Sequence, residues 1–389
     1  MTSRTITRPD DTIQRIVVVG AGLGGLRTVE RLRHRGYQGQ IVLLGGERHL
    51  PYDRPPLSKQ MLRAEVEPFW LRPGNDFSAL DVTVRIDDPA VELDVERGVI
   101  VTRGGEVAYD AAVIATGAVP RRVPGVGGLV LRTLEDAGQL RASLAPGCRL
   151  GVIGAGLIGC EVAASARAIG AEVAVIDVLA GPLIRVVGPK VAGLVAELHA
   201  ERGVTLHLGT GITGVSGRRL TLQDGTEHEF DVVLEAIGAA PDTAWLAGSA
   251  IELDDGVDCD ADGRAAPNVY AVGDAARWGG RRSEHWTNAG QQADHVAAVI
   301  LEQERPAADV AYWWSDQYDI KLQGLGQPGA DDDVEVVRWG PKSRPVAVYS
   351  AGGRLTGVVG FSAAGAVMRL RADIAAGADV NEILDRLAS

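Results

Sequence analysis

The sequence predicts an α/β fold built from two similar strand–turn–helix–strand units, with an α+β domain at the C-terminus. Three observations carry the prediction. The run Arg15-Ile-Val-Val-Val-Gly-Ala-Gly-Leu-Gly-Gly25 is repeated in kind by Leu150-Gly-Val-Ile-Gly-Ala-Gly-Leu-Ile-Gly159, each a β-branched run entering a G-x-G-x-x-G turn. Each turn is followed by a segment of helical spacing, a second apolar run and an acid. From about Ala311 the texture changes: Tyr312, Trp313, Trp314, Tyr318 and Trp339 bring aromatics into a chain otherwise poor in them.

The elements follow in order. After the first turn Leu26, Val29 and Leu32 recur at helical spacing, with Arg27, Arg31 and Arg35 on other faces. Gln40–Leu44 reads as the next strand and Glu47 as its acid; Glu172–Ile176 and Asp177 are their counterparts in the second unit. Two further strand-like runs, Tyr109–Gly117 and Phe230–Gly238, end in glycine and are followed by Pro120 and Pro241, which favour a crossover over a continuing helix. Pro267–Asp274 gives a short strand ending in Gly-Asp. Beyond residue 311 short β-like runs (334–337, 346–349, 355–359) precede two helical stretches. The expected domains are residues 1–118 with 239–310, residues 119–238, and residues 311–389.

Composition excludes several classes. The 389 residues suffice for a large core without metals or disulfides. A formal charge of -12 and a pI near 5.1 argue against a nucleic-acid or anionic-membrane binder. The three cysteines, Cys148, Cys160 and Cys259, form no C-x-x-C pair, and the seven histidines show no Cys/His cluster, so neither a local dithiol nor a zinc site is expected. Residues 1–15 lack an apolar leader core and no apolar run reaches membrane-span length, so a cytoplasmic location is expected. Only four of the 39 basic residues are lysines.

A lone G-x-G-x-x-G is a weak signal; with a strand before, a helix after and an acid closing the next strand it reads as a Rossmann-like dinucleotide-binding unit. Gly20, Gly22 and Gly25, with Ala21, Leu23 and Gly24 between them, form the first turn, and Gly154, Gly156, Leu157, Ile158 and Gly159 the second. The first glycine permits the turn, the second lets a pyrophosphate approach the backbone, and the third lets helix pack on strand; free N–H groups of the helix face the phosphates. Two such units call for two dinucleotides. Asp177 is followed by Val178, with no adjacent arginine for a 2′-phosphate, so NADH is expected over NADPH at the second.

The chain resembles the FAD-dependent pyridine-nucleotide oxidoreductases of glutathione-reductase-like fold, and more closely the NADH-dependent ferredoxin reductases that serve bacterial cytochromes P450 and Rieske dioxygenases. The resemblance rests on Leu50-Pro-Tyr-Asp-Arg-Pro-Pro-Leu-Ser-Lys59, Ala115-Thr-Gly117, Gly154–Glu161, Tyr270-Ala-Val-Gly-Asp274, Glu284-His-Trp-Thr-Asn-Ala289 and Trp314-Ser-Asp-Gln-Tyr318, in family order. It implies FAD on the first unit and NAD on the second. Disulfide reductases of this fold carry a cysteine pair after the first βαβ unit; here Pro51–Lys59 holds none, so electrons are expected to leave for an external acceptor.

By the same resemblance Arg54 and Lys59 would contact FAD, with Lys59 near the flavin N5 and paired with Glu161; a cation there would stabilise the negative charge that arrives with hydride. Ala115, Thr116, Gly117, Gly238 and Gly273 would line the cofactors, Asp274 would bond the FAD ribitol, and Trp286 would flank the isoalloxazine, with Thr287–Gly290 opening a helix toward the flavin. Arg185 matches an arginine near the NADH phosphates, with an ordinary surface arginine as the alternative. Gly46, Ala265, Gln291 and Asp242 depart from the family pattern, and Gly46 leaves Glu47 as the ribose candidate. The implied partner is an iron–sulfur ferredoxin, with rubredoxin, a small-molecule acceptor or a redox-sensing NADH-binding role as alternatives. Many ferredoxins are acidic, so this acidic chain needs a local basic docking patch. Arg277, Arg281 and Arg282 are its candidates; a solvated arginine cluster is the other reading.

Overall fold

A computed structural model describes residues 13–388. Of residues 1–15, read above as carrying no leader, 1–12 lie outside the described residues. The chain forms two compact units. The first comprises the residues up to Tyr52, Trp70–Ala118 and Pro241–Ala307; the second comprises Asp53–Phe69, Val119–Ala240 and the residues from Ala308 on.

In the first unit a six-stranded sheet runs in the order Arg264–Ala266, Val269–Ala271, Ala111–Ile114, Arg15–Val19, Gln40–Leu44, Val82–Arg85. All neighbours are parallel except the first pair. Central parallel strands are covered on both faces, which is why Ile16–Val19 is an unbroken apolar run rather than an alternating one. Ile16 and Val18 join Leu26, Val29 and Leu32 of the helix Leu23–His34, and Val296 and Ala297 of the helix Trp286–Ile300, in one core. Val17 and Val19 face a second core with Leu93 and Ile100, from a small antiparallel sheet of Ala90–Asp94, Val99–Thr102 and Gly105–Ala108.

The second unit is built on a parallel sheet ordered Val204–Leu208, Glu172–Asp177, Arg149–Ile153, Val232–Glu235. The proline-ended segments Ala118–Pro120 and Ala239–Pro241 pair as a two-stranded ribbon. Residues from Tyr312 onward form a five-stranded antiparallel sheet followed by three short helices, Ala364–Arg369, Arg371–Ala376 and Val380–Ala388, one more than the sequence predicts.

Both faces of this last sheet are buried. Val346, Val348 and Val358 point to a core with Val367 and Ile383; their neighbours Ala347, Tyr349 and Val359 point to a core with Val187, Val191 and Val195 of the helix Ile184–Glu201. The alternation is the two-residue period of a strand. The Tyr349 hydroxyl also donates to Val187 O at 2.7 Å. The C-terminal sheet thus shares a core with the helix Ile184–Glu201 of the same unit. Residues 53–69, read as part of the first domain, pack in the second unit: the Ser165 hydroxyl donates to Ser58 O at 2.7 Å.

Candidate active site

The first unit holds the first glycine turn. Gly20 has φ +114°, and a Cβ there would lie 2.2 Å from Ala115 O; a Cβ on Gly25 would lie 1.9 Å from Gly20 O. Side chains are excluded at both positions by backbone. At Gly22 a Cβ would meet nothing within 4 Å: the backbone is bare toward open space. The helix begins at Leu23 with Gly22 as its N-cap and no side-chain capping bond. The helix Leu134–Ser143, by contrast, is closed by a full Thr133–Asp136 capping box. An open glycine face before uncapped N–H groups fits a pyrophosphate.

Other predicted residues of the first unit are pinned around that turn. Glu47 accepts the Tyr52 hydroxyl at 2.6 Å. Thr116 donates to Asp242 O at 2.6 Å and Asp242 N–H returns to Gly117 O at 2.9 Å. Position 242 contributes both of its backbone groups here. Ala115 N–H bonds Val19 O. Gly273 (φ +72°) opens the turn that carries Asp274, and its N–H donates to Gln292 Oε1 at 2.8 Å, a partner with no signal of its own in the sequence. Trp286 begins its helix, one residue ahead of the predicted start, with the Arg27 guanidinium 5.8 Å above its ring.

The second unit repeats the geometry. Gly154 has φ +104° with Ala236 O 2.4 Å from a built Cβ, Gly159 is closed off by Gly154 O at 2.0 Å, and Gly156 again faces open space before the uncapped helix Leu157–Ile169. Asp177 holds this turn directly: one carboxylate oxygen accepts Ala155 N–H at 2.6 Å, the other Leu179 N–H at 2.8 Å. Just beyond three neighbouring parallel strands, Ile158, Val178 and Ile237 are exposed apolar side chains, and Gly238 (φ +100°) is open. Ligands of such sheets bind at the carboxyl ends of the strands, and bare apolar groups there fit a dinucleotide's rings. Arg185 is exposed and forms no ion pair among the described residues. The Arg54 guanidinium donates to Arg132 O.

Lys59 and Glu161 meet in this unit. Their Nζ and Oε2 atoms are 2.6 Å apart, and the residues are 6 % and 3 % exposed. Lys59 also donates to Pro55 O at 3.0 Å. Glu161 accepts further hydrogen bonds from Ser58 Oγ and, at 2.8 Å, from Ser315 Oγ. Glu161 thus accepts from three side chains, Ser58, Lys59 and Ser315. Ser58 and Ser315 have no signal of their own in the sequence, although both lie inside stretches that carry the family resemblance.

The docking candidates behave differently. Arg277 pairs with Asp254 at 3.2 Å and Asp258 at 2.8 Å, and Arg282 with Asp255 at 3.3 Å and with Glu284. Only Arg281 of the three has no ion pair among the described residues. The expected basic patch is therefore largely neutralised by local acids.

Comparison with known proteins places this geometry. Residues 14–293 match the pyridine nucleotide-disulphide oxidoreductase family model, and residues 312–385 match the reductase C-terminal model. The chain is 36% identical over 330 residues to the benzene 1,2-dioxygenase system ferredoxin–NAD(+) reductase subunit of Pseudomonas putida, covering 80% of each. It is 36% identical over 332 residues to a rubredoxin-NAD(+) reductase of Ectopseudomonas oleovorans, covering 80% of this chain and 86% of the other. It superposes with a TM-score of 0.90 on a chain of the covalent putidaredoxin reductase–putidaredoxin complex, at 29% identity and 95% coverage of both.

Proposed function

Because the chain belongs to the pyridine nucleotide-disulphide oxidoreductase family, we propose that it is an FAD-dependent ferredoxin–NAD(+) reductase, passing electrons from NADH to an iron–sulfur ferredoxin that serves a cytochrome P450 or Rieske-type oxygenase. FAD, when bound, supplies the conversion of a two-electron hydride donor into single-electron delivery. Glycines 20, 22 and 25, Glu47, Thr116, Gly117, Asp274 and Trp286 of the first unit would hold it, with Arg54 and Lys59. Glycines 154, 156 and 159, Asp177, Arg185 and Gly238 would hold NADH. Lys59, paired with Glu161, would place a positive charge where hydride brings a negative one.

The absence of a cysteine pair beside the first glycine unit carries this reading. The stretch Pro51–Lys59 has no cysteine. Cys160 and Cys259 are buried, and burial pushes both thiols well above their ordinary pKa, Cys259 to about 12. Neither supplies a thiolate nucleophile near neutral pH. A family member without a dithiol relay must deliver electrons to an external acceptor. NADH is an intracellular reductant, which supports a cytoplasmic location, and no helix among the described residues is long and apolar enough to cross a membrane.

The docking surface is left with Arg281 as its one uncommitted candidate among the three arginines. Rubredoxin is the second reading for the acceptor, favoured by the equal identity of the rubredoxin-NAD(+) reductase. Anaerobic addition of NADH to the flavin-loaded protein with iron–sulfur ferredoxins and rubredoxin in parallel tests the proposal. Bleaching of a ferredoxin chromophore supports it; NADH oxidation that reaches neither protein refutes it.

A further inference from the structure

The buried Lys59–Glu161 pair does not end at Glu161. Ser315 Oγ, 2.8 Å from Glu161 Oε1, is itself 3.1 Å from Gln317 Nε2. Gln317 Oε1 lies 2.9 Å from His199 Nε2, and His199 Nδ1 lies 2.9 Å from the Tyr318 hydroxyl. Ser315, Gln317 and His199 are at most 1 % exposed. The strand Tyr312–Gln317 presents Trp313, Ser315 and Gln317 to its buried side by simple alternation.

The direction of every link follows from the carboxylate. An ionised carboxylate only accepts, so Ser315 must donate to Glu161. Its remaining capacity is as acceptor, so the Gln317 group facing it is the NH2, which turns the Gln317 carbonyl oxygen toward His199. That oxygen accepts only, so His199 carries its proton on Nε2. Burial pushes the His199 imidazole below its ordinary pKa, so it is neutral near pH 7, its Nδ1 is an acceptor, and Tyr318 donates to it. The dipoles therefore all point toward Glu161 and reinforce one another.

The far end is held against strain. Tyr318 sits at φ +58°, a conformation disfavoured for an aromatic residue, in the two-residue turn between the strands Tyr312–Gln317 and Ile320–Gly326. Its hydroxyl is fixed by His199 and its ring lies 5.0 Å beneath the Arg202 guanidinium, which pairs with Asp319 of the same turn.

We infer that Ser315, Gln317, His199 and Tyr318 form a one-directional hydrogen-bond relay that fixes the orientation of the Glu161 carboxylate and, through it, the position of the Lys59 ammonium. These are positioning residues: none needs to touch a cofactor. The consequence for hydride transfer rests on the function proposed above; the relay and its polarity do not.

Histidine-selective nitrogen-15 NMR of the flavin-loaded protein reads the polarity directly. At about pH 7 His199, assigned by the signal lost in His199→Gln, should show a protonated Nε2 and a bare Nδ1; an Nδ1–H tautomer or an imidazolium overturns the relay. Ser315→Ala and Ser315→Thr test its end point by stopped-flow reduction of the flavin with NADH. Loss of a hydrogen bond to a buried charge should slow reduction at saturating NADH about tenfold in Ser315→Ala, leave NADH affinity within about twofold, and be reversed by the threonine hydroxyl. Equal rates in Ser315→Ala and the parent protein overturn the positioning role. A parent protein that NADH does not reduce refutes the proposed function instead, and the His199 tautomer then decides the relay alone.

Discussion

Lys59 Nζ lies 2.6 Å from Glu161 Oε2, across 102 residues of sequence and out of water. Breaking a buried pair leaves an uncompensated charge and costs about 3–5 kcal/mol, whereas replacing both members by apolar groups is often near neutral. Lys59→Met and Glu161→Met should each lower stability by about 3 kcal/mol in urea titrations. The double variant should recover most of that loss while remaining slow in flavin reduction. A double variant as unstable as the sum of the singles would contradict the pairing. Lys59→Ala should likewise slow flavin reduction by NADH more than it weakens FAD retention, as stopped-flow traces and flavin release will show.

An open and an enclosed glycine of the second turn separate binding from folding. Gly156→Ala puts a methyl into empty space, so thermal stability should barely change while NADH affinity falls, read by flavin-fluorescence titration. Gly154→Ala meets Ala236 O and forces a positive φ on a side chain, so it should destabilise by about 1–3 kcal/mol. Equal thermal shifts in the two variants would show that the open face at Gly156 has been misread.

Asp177 places a negative charge beside an exposed Val178, and residues 178–181 hold no cation. kcat/KM should therefore favour NADH over NADPH. Val178→Arg should raise kcat/KM for NADPH about tenfold by pairing with its additional phosphate. Equal values for the two nucleotides in the parent protein would remove the argument.

Burial holds the imidazoles of His199, His285 and His207 below their ordinary pKa. The unfolded chain then takes up protons first, near pH 6.5, and the folded protein only at lower pH. Stability is full above about pH 6.5 and declines as pH falls below it. Asp231 and Asp262, each held at about 2 by a bonded arginine, lose their contributions only further down, through the carboxylate range. Melting temperatures from about pH 8 to pH 5 should fall, and His199→Gln should flatten the fall. A pH-independent melting temperature would rule out neutral buried imidazoles.

What was legible in the sequence was local. Both glycine turns, their helices and the strands that follow can be read within some thirty residues, because turn, cap and packing glycines act on near neighbours. The Glu161 contacts could not be read: Ser58 and Ser315 reach it over separations of 103 and 154 residues. The Trp314–Tyr318 motif marked the place without its role, although strand alternation already puts positions 313, 315 and 317 on one face. The ion pairs of Arg277 and Arg282 were hidden for the same reason. Three of the acids that neutralise them, Asp254, Asp255 and Asp258, come from an upstream loop and strand. The aromatics near residue 312 are divided: Trp313 is core, while Tyr312 and Trp314 are half-buried and stack at 5.8 Å.

The central claim is that electrons leave without passing through a thiol. It is tested most directly by giving the NADH-reduced protein an oxidised iron–sulfur ferredoxin and a disulfide side by side, with a variant in which Cys148, Cys160 and Cys259 are all alanine. Reduction of the ferredoxin by both proteins, with the disulfide left intact, is the predicted result. Preferential reduction of the disulfide, or ferredoxin reduction lost in a folded, flavin-loaded thiol-free variant, would contradict it.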